Sequence, residues 1–188
     1  MSDLWVFGYG SLMWRPGFPH VETVPARLAG WHRSLCVYSW YHRGTPERPG
    51  LVLGLDRGGS CRGLAFRVEA AEAAAVIAYL REREQVTAVY RELVRPVGLT
   101  DGSGRLVEAV FYAVDRAHPQ YAGKLDRLAL TRFVRQGVGA SGPNPDYVLN
   151  TAEHLAHLGI RDPVLESIAR DLRAGPGHSP APDVDDVE

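Results

Sequence analysis

The order in which two kinds of pattern follow one another along the chain restricts its fold more than any other feature. Runs rich in branched and aromatic residues come mostly first: "LWVFGYG" (4–10), "RSLCVYSW" (33–40), "GLVLGLD" (50–56), "CRGLAFRV" (61–68), "AVYRELV" (88–94) and "LVEAVFYAV" (106–114). Glycine- or proline-bearing stretches separate them, as between strands. Helical spacing occurs once early, over 70–84, and otherwise late, near 121–137, 146–158 and 163–173. Without regular strand–helix alternation a doubly wound parallel sheet is ruled out. The pattern predicts an α+β fold with an antiparallel or mixed sheet, for which closure into a barrel is one solution. "LDRGGSCRG" (55–63) and "GLTDGSGR" (98–105) are expected to be hairpin connections.

With 188 residues, 45% of them hydrophobic, the chain can bury a core of its own. One domain is expected over residues 1–174, followed by a disordered tail at 175–188, "GPGHSPAPDVDDVE", which has almost nothing to bury. A formal net charge of -1 offers no electrostatic case for nucleic acid or an anionic membrane. No apolar run reaches the ~18–20 residues of a spanning helix, and "MSDLWVFG" does not read as a leader. Cys36 and Cys61 make neither a disulfide framework nor a metal-binding spacing. A soluble cytoplasmic protein is therefore expected. Lys124 is the only lysine among 21 basic residues, a compositional habit that argues against reading any single arginine as a functional signal.

Against this background "VFGYGSL" (6–12) needs a reason. Two glycines two apart tolerate positive φ and let a ligand approach bare backbone. Successive N–H groups in such a turn converge on a carboxylate or a polarised carbonyl oxygen. The structural alternative is a bulge where a strand bends. A dinucleotide fingerprint is excluded, because the third glycine and the following helix are missing. Ser11 does not stand between the glycines of a nucleophile elbow.

The segment 70–84 supplies a second signal. Ala73, Val76, Ile77 and Leu80 form one helical stripe, and its continuation lands on Glu84, while Glu82 points away. Burial and the negative end of the helix dipole both raise a carboxylate's pKa, which suits a general base. The alternative is a helix that frays before 84, with Glu84 paired to Arg81 or Arg91. Other candidates are His154 and His157, which lack an evident third metal ligand, and Cys36 as a buried inert thiol. His42 and Arg43 precede a turn, where a fixed arginine can grip a carboxylate. Asp146 or Asn144 is a helix cap, and Tyr147 is either core or a pocket hydroxyl.

Taken in order, "WVFGYGSLMW" (5–14), "GWHRSLC" (30–36), "HRGTPERPG" (42–50), "YLREREQ" (79–85) and "ASGPNPDYVLN" (140–150) resemble the ChaC family of glutathione-specific γ-glutamylcyclotransferases over most of residues 4–173. The resemblance implies a mixed β-barrel with flanking helices and a reaction without metal or coenzyme. In that reaction the α-amine of a γ-glutamyl group attacks its own γ-carbonyl, releasing 5-oxoproline and, from glutathione, Cys-Gly. It further implies Glu84 as the proton acceptor and Val6, Phe7, Gly8, Tyr9, Gly10, Ser11 and Leu12 as the substrate-holding loop. Tyr147 stands near the pocket, and Arg43 matches the family's arginine before glycine. Two alternatives stay open at this point: a cyclotransferase for other γ-glutamyl amides, and a catalytically silent γ-glutamyl-binding module.

Overall fold

A computed structural model of the chain describes residues 2–84 and 88–175. Its elements run β1 (Leu4–Gly8), β2 (Glu22–Ser39), β3 (Gly50–Val68), α1 (Ala73–Glu84), β4 (Tyr90–Leu99), β5 (Leu106–Val114), α2 (Arg127–Gln136), β6 (Val138–Gly139), β7 (Gly142–Pro143), α3 (Asn144–His157) and α4 (Pro163–Arg173). The first five strands close into a barrel in the order β1-β3-β2-β4-β5. β1 lies antiparallel to β3 and parallel to β5, with Trp5 opposite Ala109 and Val6 opposite Val110. β4 runs antiparallel to both β2 and β5. The expected α+β fold with a mixed barrel is therefore what forms, and closure removes the unpaired edges an open sheet would leave.

Two expectations about strands are corrected. The glycines at 58 and 59 do not divide two strands: β3 is one element from Gly50 to Val68, and Gly58 and Gly59 take φ of 104° and 65° within it. Such backbone bends a strand without ending it. β2 begins at Glu22, far ahead of the expected position 33. Its first half does alternate, with Val24, Ala26 and Leu28 buried, but Pro25 and Gly30 interrupt the β-forming composition. The "GLTDGSGR" connection does join β4 to β5, and β5 has the bounds its pattern predicts.

The chain divides into two compact units. The first comprises the residues up to Tyr38 together with Leu53–Gly123 and holds most of the barrel with α1. Its core brings Val6 of β1, Phe66 and Val68 of β3, Val110 and Tyr112 of β5, and Leu12 and Phe18 of the first loop against Val76 and Leu80 of α1. The second comprises Ser39–Val52 and the described residues from Lys124 onward, with α2, α3 and α4. There Asp126 and Asp162 cap α2 and α4 by accepting from Ala129 N and Leu165 N. Arg127 grips the buried Asp171 with two bonds of 2.6 and 2.9 Å. Apart from Gly175, the expected tail lies outside the described residues. No described helix is long and apolar enough to cross a membrane.

Candidate active site

β1 carries its chain into the loop through buried Val6 and Phe7, and the loop tightens at once into a single 3-10 turn, Ser11–Met13. Leu12 and Met13 fill core while Ser11 is exposed. The side chains of Val6, Phe7, Tyr9 and Leu12 are thus committed to packing, and what this stretch offers outward is backbone and the Ser11 hydroxyl. Its carbonyls are engaged by the protein: Tyr9 O accepts Arg33 Nε at 2.6 Å, Gly10 O accepts Met13 N at 2.9 Å, and Ser11 O accepts Arg15 N at 2.8 Å.

The two glycines serve different ends, and neither uses positive φ. At Gly8 a Cβ would lie 3.2 Å from both Leu12 Cβ and Phe66 Cε2, so tightly that these neighbours would have to give way to admit a side chain. At Gly10 it would meet Leu53 Cδ1 at 3.7 Å, an ordinary van der Waals contact, so packing does not bar a side chain there. Close packing therefore accounts for the first glycine and not for the second.

α1 brings its last residue to the same region. Val76 and Leu80 are buried, Glu82 is exposed, and the Glu84 side chain keeps only 18% of its surface. The helix continues through Glu84, so it does not fray first. Arg81 is taken by Glu92, whose carboxylate it holds with two bonds of 2.7 and 2.8 Å. Burial pushes the Glu84 carboxyl above the ordinary glutamate range, and the neighbouring Arg83 charge opposes that rise without cancelling it.

Arg83 is the residue that sequence reasoning passed over. Its Nη2 donates to Ser11 Oγ at 3.0 Å, and its Nη1 donates to Arg15 O at 2.7 Å and to the Tyr79 hydroxyl at 3.0 Å. Its Nε lies 3.2 Å from Glu84 Oε1. Tyr79 in turn needs Gly17, whose Cβ would fall 2.1 Å from the phenol oxygen and whose φ is 73°. The available signals were the i, i+4 spacing of Tyr79 and Arg83 and the adjacency of Arg83 to Glu84. Arg33, within the motif at 30–36, was likewise hidden by the abundance of arginine.

In the second unit, Arg43 and Tyr147 come together, with the guanidinium carbon 5.6 Å from the ring centroid and Nη1 donating to Pro143 O at 3.2 Å. Their backbone support is close. Cβ atoms at Gly44, Gly50, Gly137 and Gly139 would each fall within 2.4 Å of main-chain atoms. Asn144 does not cap α3, whose N-cap is Pro143, and Asp146 lies inside the helix. The Asn144 amide is wholly buried instead, accepting from Leu51 N at 2.7 Å and donating to Leu51 O at 2.8 Å. His42 Nδ1 meets Ser141 Oγ at 2.9 Å.

The remaining candidates hold structural positions. Cys36 is buried, and loss of water together with the Asp56 charge pushes its thiol up to about 12, as an inert side chain requires. His154 and His157 are exposed in the last turn of α3, and no group of three metal-ligating side chains forms among the described residues.

A family model described as ChaC-like protein matches residues 4–174. The chain is 32% identical over 89% of its length to a glutathione-specific γ-glutamylcyclotransferase of Escherichia coli, covering 71% of that protein. It is 30% identical over 83% of its length to glutathione-specific γ-glutamylcyclotransferase 1 of Homo sapiens, again covering 71% of the relative. Among solved structures, a glutathione-specific γ-glutamyl cyclotransferase from yeast superposes with a TM-score of 0.81 at 22% identity, covering 93% of this chain and 97% of the other.

Proposed function

The chain belongs to the ChaC-like protein family, and from that premise we propose that it cleaves glutathione by intramolecular cyclisation to 5-oxoproline and Cys-Gly. The observation that carries the reading is Glu84, a carboxylate drawn out of water at the end of a helix and linked through Arg83 to the Ser11 hydroxyl of the glycine loop. The substrate's α-amine is largely protonated at neutral pH, as α-amino groups with pKa values of ~7.7–8 are, and must lose a proton before it attacks. Glu84 accepts that proton. The amine nitrogen then bonds to the γ-carbonyl carbon, and N–H groups of the Tyr9–Leu12 stretch stabilise the negative charge on its oxygen. Collapse breaks the amide C–N bond, Glu84 returns the proton to the departing Cys-Gly nitrogen, and the extra proton left on the ring nitrogen passes through the regenerated carboxylate to that amine, which leaves as an ammonium. Because nucleophile and electrophile share one molecule, holding the γ-glutamyl chain in a ring-closing conformer is a large part of the catalysis.

In this reading Ser11 is a hydrogen-bonding group. Its oxygen accepts from the Arg83 guanidinium, which weakens it as a nucleophile and turns its proton toward the substrate. Within the second unit, Arg43 beside the Tyr147 ring is proposed as a carboxylate-binding group. The catalytic domain is proposed to occupy residues 1–174. Two free buried cysteines, Cys36 and Cys61, suit action in the reducing cytoplasm.

The test is to incubate the purified protein with reduced glutathione and quantify both products. Equimolar 5-oxoproline and Cys-Gly is the expected result. Glutamate with Cys-Gly would replace cyclisation by hydrolysis. Faster turnover of γ-glutamyl-alanine would move the substrate to other γ-glutamyl amides, and absence of product from either would leave a binding module.

A further inference from the structure

We propose that Arg83 is a positioning residue for this reaction: one guanidinium fastens the glycine loop to the end of α1 and thereby sets where the Ser11 hydroxyl stands relative to the Glu84 carboxylate. The inference rests on the reading of Glu84 as the base and adds to it a residue that touches neither bond being made nor bond being broken.

The geometry divides the guanidinium by edge. Nη2 faces Ser11 Oγ at 3.0 Å. Nη1 gathers Arg15 O at 2.7 Å, Pro16 O at 3.3 Å and the Tyr79 hydroxyl at 3.0 Å. Nε faces Glu84 Oε1 at 3.2 Å. One guanidinium therefore hydrogen-bonds the loop carbonyls, the Ser11 hydroxyl and Tyr79 while its charge stands 3.2 Å from the Glu84 carboxylate, a set of partners that a fixed fork of donors can span and a lysine ammonium cannot. Tyr79 and the φ 73° backbone of Gly17 beneath it keep the side chain from swinging away. Arg33, bonded to Tyr9 O and Arg62 O, secures the other end of the same loop. A loop tied at both ends needs no reordering when substrate arrives.

The charge has a second consequence. Two titratable groups on the packed elements couple to Glu84: Arg83 from α1, and Tyr112 from β5, whose proton is held tightly by burial, by its bond to Glu92 and in part by Glu84 itself. Glu92 is already neutralised by Arg81. Tyr112 stays neutral through the working range, so Arg83 is the cation that favours ionised Glu84 against desolvation. Without it the base would hold its proton to higher pH.

Arg83→Met is expected to lower kcat on glutathione about 10²-fold, the scale of a misplacement near 1 Å, and to move the acid limb of the rate profile to higher pH. Arg83→Lys should restore the limb toward wild type, because the charge returns, while kcat stays low because the forked bonds to the loop do not. Carbon-13 carboxyl NMR, with Glu84 assigned through Glu84→Gln, should show the same upward displacement in Arg83→Met without any substrate present. A rate loss that only tracks unfolded protein, with Glu84 titrating as in wild type, would overturn the proposal. Should Arg83→Met not fold, Arg83→Lys decides: wild-type kcat would overturn the bridging role. A wild-type protein that makes no 5-oxoproline would sink the functional reading, whereas an unmoved Glu84 resonance would sink only the role of Arg83.

Discussion

Asp56 on β3 and Glu84 at the end of α1 are both withdrawn from water in the same unit, yet the fold treats their charges in opposite ways. Asp56 Oδ1 accepts from Arg116 Nε at 2.7 Å and Arg57 N at 2.8 Å, and Oδ2 accepts from the Tyr121 hydroxyl at 2.8 Å. Burial pushes its carboxyl up, but those three bonds outweigh it and hold the group below the usual carboxylate range. Glu84 is the less compensated of the two. Among the described residues its ion pair is the 3.2 Å approach of Arg83, and its carboxyl ends above the usual range. A carboxylate that serves structure has its lone pairs satisfied. One that must pick up and release a proton is left with affinity for it.

Exchanging each acid for its amide is the sharpest way to break this contrast. Glu84→Gln should keep the fold and lose at least ~10²-fold in glutathione turnover, the scale of general base catalysis, while Asp56→Asn should keep the specific activity of the folded protein. Equal losses in activity would erase the distinction. Stability should respond in reverse. Asp56→Asn should cost about 2 kcal/mol in chemical denaturation, because charged hydrogen bonds are lost but Arg116 is half exposed and screened. Asp56 has a lowered folded pKa, so its contribution is present above the unfolded value near ~3.9 and fades as pH falls through the folded one. The gap between wild type and Asp56→Asn should therefore close in acid.

The smallest effect has the opposite sign. Glu84 has a raised folded pKa, so its favourable contribution is complete below the unfolded value near ~4.3 and is lost as pH rises through the folded one. Glu84→Gln should consequently melt slightly higher than wild type at neutral pH, with the advantage vanishing in acid. A lower melting temperature at neutral pH would mean that Glu84 supports the fold as Asp56 does.

Glu84 was readable from one dimension because helical periodicity alone aimed it inward, and the stripe of Val76, Ile77 and Leu80 fixed the face. β5 was readable for a similar reason, being an apolar run broken by Glu108 alone and set between turn signals. What escaped depended on distant partners. Asn144 has the composition of a cap, but its amide is claimed by the backbone of Leu51, 93 residues earlier. Arg33 and Arg83 look like any other arginine until the loop lies beneath them. Gly58 and Gly59 signal a turn equally well whether the chain reverses or only bends, and pairing elsewhere in the barrel decides which. The first half of β2 carried the right alternation, obscured by a proline whose exposed side lets it sit in a strand.

The most direct test of the account is the pH dependence of kcat/KM for glutathione with the wild-type protein, set beside the carboxyl titration of Glu84 in the free protein. An acid limb is expected whose apparent pKa lies above the ordinary glutamate value and coincides with the Glu84 titration. A limb at or below the ordinary carboxylate range, or one that ignores the Glu84 titration, would show that the proton of the substrate amine goes elsewhere.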